Sequence, residues 1–173
     1  LGGQLLLLKT ASTPGALKLS EKVEFITVFG CGGSVTGLSN PFKQFVAAPS
    51  NRNNYVGAAE SAFKDLIVVP VNSAGMGDER FFKFELVGDA KDAELKDGQV
   101  VRIKSQSEAA ATKDFSLQLR SRGGDGKFKV LGLRKEAATP GADEFYVVSV
   151  RPEDLASEAR AIYDGLKTRT DEY

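Results

Sequence analysis

The stretch FGCGGSVTG at residues 29–37 sets the one cysteine of the chain among residues that leave the backbone open. Gly30, Gly32 and Gly33 could bare main-chain amides to a phosphate, and Cys31 could serve as a nucleophile or as the point where a cofactor is covalently attached. The spacing is neither G-x-G-x-x-G nor the P-loop, which also needs Gly-Lys-Ser/Thr. A glycine-rich turn between two strands, carrying a semi-buried free thiol, accounts for the same residues and is the reading the spacing favours. The sequence contains no histidine, so His-dependent triads and the usual proton shuttle are excluded. Zinc would have to be held by a single cysteine and carboxylates, outside the familiar ligand sets.

Three other stretches carry charge or aromatic surface. In SRGGDGK at 121–127, Arg122 and Lys127, with Arg120 just before, surround glycines and could hold an anion, although a hairpin tip with exposed charges needs no ligand. Asp89, Asp92, Glu94 and Asp97 in GDAKDAELKDG alternate with lysines and miss the EF-hand spacing, which reads as a solvated connection. In ERFFKFEL, Phe82, Phe84 and Leu86 share one face and are core, whereas Phe81 stands on the other face beside Lys83 and is a candidate for binding. With 23 basic and 23 acidic residues and no basic stripe, no nucleic-acid partner is expected.

Whatever these residues do, strands must position them. QLLLLK, VEFITVF, DLIVVPV, RFFKFELV, QVVRIKS, DFSLQLRS, KFKVLGL and FYVVSV are short, rich in β-branched and aromatic residues, and bounded by Gly, Pro, Asn or Asp. Asp125-Gly126 supplies the positive-φ residues of a tight hairpin, so 114–121 and 127–133 are expected to pair, and Asp97-Gly98 repeats the signal one strand earlier. Residues 39–62, with two prolines and an Asn-rich turn, read as a long irregular connection of the kind that often contacts a partner. SEAAATK at 107–113 is either a helical turn or a loop.

One helix is expected, near the end. Pro152 suits a first helical position, and Glu153 with Asp154 set negative charge on the positive end of the dipole. Leu155, Ala159, Ile162 and Leu166 then form an apolar stripe that must be buried, against the chain's own sheet or against a partner. The expected fold is mainly β (α+β): one β-rich domain over 1–173, an antiparallel β-sandwich or barrel of about eight short strands with one C-terminal amphipathic helix.

Hydrophobic content of 42% and charged content of 27% are those of an ordinary globular protein. A single cysteine cannot form an intrachain disulfide, which fits a cytoplasmic or plastid-stromal setting. The run Leu5 to Leu8 is far shorter than the roughly 20 residues of a membrane-spanning helix, so no transmembrane segment is expected.

Residues 127–167 resemble the small linker domain of phycobilisomes, the rod-capping type. The matching positions are Val130, Gly132, Leu133 and Arg134, then Tyr146, Val147 and Val148, then Leu155, Glu158, Arg160, Ile162 and Gly165. ERFFKFELVG at 79–88 is also similar to that family's opening strand, at a distance from the helix that would require an insertion. The chain departs from the pattern in lacking a closing Gly-Gly-Lys-Ile-Val strand, in having Val148-Ser149-Val150 for Val-Pro-Tyr, and in being neutral.

The resemblance implies a strand-loop-strand-helix sub-module over 127–170 and a structural role in a light-harvesting antenna. Tyr146, Leu155, Ile162, Tyr163 and Leu166, with Phe81, would then be buried against phycobiliproteins at the thylakoid surface of a chloroplast. Any bilin would be carried by the partner or attached at Cys31; no intrinsic cofactor is expected. The leading expectation is a non-catalytic assembly protein. A β-barrel carrier of a small apolar ligand, held among Phe25, Phe29, Phe82 and Phe84, is the alternative, and an enzyme of unknown class is third.

Overall fold

The structure, a computed structural model, describes residues 6–10, 16–27, 43–47, 63–70, 77–88, 94–122, 128–149 and 151–154. Within them the chain is mainly antiparallel β-sheet. The strands are β1 Leu6–Thr10, β2 Val23–Thr27, β3 Lys43–Ala47, β4 Phe63–Pro70, β5 Phe82–Leu86, β6 Val100–Ser105, β7 Ser116–Arg122, β8 Phe128–Arg134 and β9 Phe145–Tyr146. Short 3-10 turns occupy Asp78–Arg80 and Pro152–Asp154. The predicted C-terminal helix is described only at that second turn; Leu155, Ile162, Tyr163 and Leu166 lie outside the described residues, as do Cys31 and Phe29.

All eight strand-like runs contain an assigned strand, and a ninth corrects the reading of 39–62 as irregular throughout. Lys43–Ala47 pairs with β4 along its whole length and with β2 at Ile26↔Gln44 and Thr27↔Lys43. Its five residues are bracketed by Pro41 and Pro49, so the prolines that suggested a loop instead mark its ends. Val46 and Ala47 are fully buried, and this burial against two neighbours outweighs the weak strand preference of Lys-Gln.

The strands follow the order β1-β2-β3-β4-β8-β7-β6-β5, and β5 then meets β2 again at Val23↔Phe82. β1 occupies one edge of β2 over all five residues. A strand has two edges, so β3 at Ile26 and Thr27 and β5 at Val23 must share the other.

Alternation decides which side chains face the core. In β6, Val101, Ile103 and Ser105 are buried while Val100, Arg102 and Lys104 are half-buried. Their register partners on β5 are Leu86, Phe84 and Phe82. Phe25 packs edge-to-face on Phe82 with centroids 5.4 Å apart and on Phe84 at 6.3 Å, an arrangement that rings favour over face-to-face stacking. Val23, Ala47, Ala110, Leu117 and Leu133 complete one cluster with them.

β7 and β8 pair over seven residues, as the hairpin signal predicts. At the second predicted turn Gly98 has φ +79°, open to glycine and strained for other residues.

Candidate functional site

β6 cannot keep both neighbours on its second edge. β7 pairs with it only at Lys104↔Ser116 and then diverges, and β9 takes the vacated edge at Val100↔Tyr146 and Val101↔Phe145. The connection from β8 to β9 lies over the outer side of β7 and is fastened at two points. Gln118, fully buried, donates from Nε2 to the Glu136 carbonyl at 2.9 Å and accepts from the Ala138 N–H at 3.0 Å. Arg102 on the outer face of β6 grips the far end, with Nε 3.1 Å from Asp143 Oδ2, Nη2 3.0 Å from Glu144 Oε1 and Nη1 4.0 Å from Glu85. Asp143 is buried, and its Oδ1 has no hydrogen-bond partner.

That fastening presents β9. Phe145 and Val147 pack against the core cluster, whereas Tyr146 is 79% and Val148 71% exposed. The Val147 N–H donates to the Gln99 carbonyl, and its own carbonyl accepts from the Gly98 N–H. Main-chain groups alternate along an antiparallel strand, so those of Tyr146 and Val148 point away from β6. No described residue pairs with them. The segment continues through Ser149, whose N–H donates to Asp97 Oδ1.

Phe81 stands elsewhere. Its carbonyl accepts from the Gln106 N–H, which puts it at the opposite end of β6 from Tyr146, roughly 20 Å away at about 3.3 Å per residue. The ring is half-buried between Arg80, whose guanidinium carbon lies 4.8 Å from its centroid, and Lys22 Nζ at 5.6 Å. Arg80 Nε also lies 3.2 Å from Glu24 Oε1, an ion pair without an aligned hydrogen bond. Phe81 and Tyr146 are thus two separate surface features. The four predicted positions on the C-terminal stripe and Cys31 fall outside the described residues.

Leu119 is the third exposed apolar feature. It shares a strand face with buried Leu117 and is 55% exposed, and it sits where β7 has left β6. The turn joining these strands is a buried hydroxyl lattice. Ser105 Oγ lies 3.2 Å from Thr112 Oγ1 and accepts from the Ser107 N–H, and Ser107 Oγ accepts from the Ala110 N–H. Ser116 Oγ is buried without a partner. Next to it, on the surface, Lys113 donates to Glu108, and this hydrogen bond and the carboxylate's charge raise the lysine pKa.

Among the described residues no group of acidic or cysteine side chains is arranged to hold a metal ion, and no helix is long and apolar enough to cross a membrane. No protein-family model, curated protein or solved structure matches the chain.

The sequence reading named Tyr146 but missed Val148 as its partner and missed Arg102, Asp143, Glu144 and Gln118 altogether. A signal for Val148 existed in the period-two pattern of FYVVSV, where Phe145 and Val147 alternate with Tyr146 and Val148. Arg102 and Glu144 are 42 residues apart in sequence, and no local pattern connects them.

Proposed function

We propose that the chain is a non-catalytic interaction module that helps assemble a larger complex, gripping a partner protein at the outer side of β9. The observation that carries this reading is the pair Tyr146 and Val148, two residues apart, exposed and held in place by two sets of partly buried polar contacts. Large aromatic and aliphatic side chains left in water on a rigid support are what a binding surface needs. Phycobiliproteins are the most specific version of that partner, suggested by the resemblance over 127–167, and Cys31 is then the position to examine for an attached bilin.

Native isolation with mass spectrometry tests both levels. The expected result is a partner that co-purifies with the wild-type chain and is lost from Tyr146→Asp/Val148→Asp while the fold is retained. A coloured partner supports the phycobiliprotein version. Isolation as a colourless monomer overturns the reading.

A second reading is favoured by Leu119. We read the return of the strand path from β5 to β2 as closure into a β-barrel, which makes Leu119 an inward-facing side chain at an opening in the wall. The chain would then be a carrier of a small apolar ligand. The packing of Phe25 on Phe82 and Phe84 works against a hollow at that level, so a ligand would sit nearer Leu119 and Leu131. A carrier yields an extractable small molecule and gains thermal stability when it is restored; unchanged melting on extraction and readdition removes this reading.

A further inference from the structure

The outer edge of β9 offers more than two apolar side chains. Unpaired strand edges are templates for another strand, and proteins usually blunt them with lysine, proline or a covering loop. Here the segment Phe145–Ser149 contains neither lysine nor proline, and the main-chain groups of Tyr146 and Val148 turn outward with no described residue bonded to them. Charge surrounds this edge asymmetrically. Asp143 and Glu144 precede it, Asp97 is bonded to Ser149 at its far end, and Glu153 and Asp154 follow. Arg102 is shared by Glu85, Asp143 and Glu144, Arg151 by Glu153 and Asp154, and Lys96 stands beside Asp97, so the carboxylates of these segments outnumber their cations.

We infer that this edge is a strand-addition site for an extended segment of a partner protein, with apolar residues at alternate positions and basic residues on its flanks. The incoming strand exchanges main-chain hydrogen bonds with Tyr146 and Val148 and rests its alternate side chains on theirs. The acidic flanks select lysine or arginine on the partner. They also disfavour a second copy of this chain, because a two-fold pairing of the edge sets the same carboxylates against each other. This inference rests on the proposed interaction role and goes further in fixing the partner's conformation and charge.

The test uses the full chain and a synthetic peptide of alternating valine and threonine with two lysines at each end. Binding is expected to be saturable and to slow hydrogen exchange at the Tyr146 and Val148 amides. Val148→Pro keeps apolar bulk and spares the inward Val147 bond to Gln99 but removes an outward N–H, so it should weaken binding at least tenfold. Val148→Thr keeps the outward N–H and a β-branched side chain and should bind within a factor of about three. Should Val148→Pro fail to fold, the peptide N-methylated at alternate amides asks the same question of the wild type, with loss of binding expected.

Equal affinity for Val148→Pro, or for the N-methylated peptide, overturns strand addition. Equal affinity for a glutamate-flanked peptide overturns the charge selection, and sedimentation showing a dimer broken by Val148→Pro replaces the partner with a second copy. If Tyr146→Asp/Val148→Asp loses the natural partner while Val148→Pro retains it, the interaction role stands and strand addition falls. If neither variant loses it, the role at this surface falls as well.

Discussion

Gln118 shows how a buried polar side chain can govern a surface it does not touch. Its carboxamide serves the Glu136 carbonyl and the Ala138 N–H together, so Gln118→Leu should leave both main-chain groups short of a partner. A cost of about 2 kcal/mol is expected, measurable by denaturant unfolding, together with faster hydrogen exchange at the Ala138 amide. Unchanged exchange there would mean that the connection is held by other contacts. Lys113 makes a separate prediction. Glu108 raises its pKa, so whatever this exposed pair contributes is whole at neutral pH and fades as pH climbs through the lysine range. Glu108→Gln should lower the Lys113 pKa toward the ordinary value in an NMR titration. Of these residues the sequence discloses little: Gln118 reads as an outward polar position in an alternating strand, and its burial depends on a connection that begins more than ten residues later.

At the scale of single elements, legibility follows how local the cause is. β6 announces itself because alternating burial is written into its own residues, β7 because Leu117 and Leu119 alternate with polar Ser116 and Gln118 in its sequence, and the β7–β8 hairpin because glycine and aspartate fix its turn. β3 is hidden because its strand character comes from β2 and β4 on either side. The residues between β6 and β7 fit a helical turn or a loop equally by sequence, and the hydroxyl lattice decides for a loop by satisfying amides that a helix would otherwise have paired. That turn holds Ala111 at φ 53°, where a Cβ is strained, so Ala111→Gly should stabilise the protein by about 0.5–1 kcal/mol. A loss of stability would show that the methyl group packs usefully. In the core, Phe82 joins β5 to β2 through Phe25, and Phe82→Ala should cost about 3–5 kcal/mol in chemical denaturation. A cost near 1 kcal/mol would indicate that the cluster collapses around the void.

For the molecule as a whole, the sequence supported an antiparallel β architecture but could not choose how the sheet ends. That choice rests on Val23↔Phe82, a contact between residues far apart in the chain. A cross-strand nuclear Overhauser contact between these two residues is expected if the path returns to β2; its absence would leave an open sheet. The candidate surface was legible only in part for the same reason, since Tyr146 belongs to a recognisable strand while its exposure depends on β7 parting from β6. The shared edge of β2 carries one more consequence, and it concerns time. Long-range pairings must be closed at the expense of chain entropy before they return any stabilisation, which slows folding in sheets of this kind. The β7–β8 hairpin can form early from neighbouring residues, whereas the junction of β2 with β5 has to wait for both ends of the path. Val23→Ala should therefore leave the refolding rate almost unchanged and speed unfolding, so that the last contact made is also the first one released.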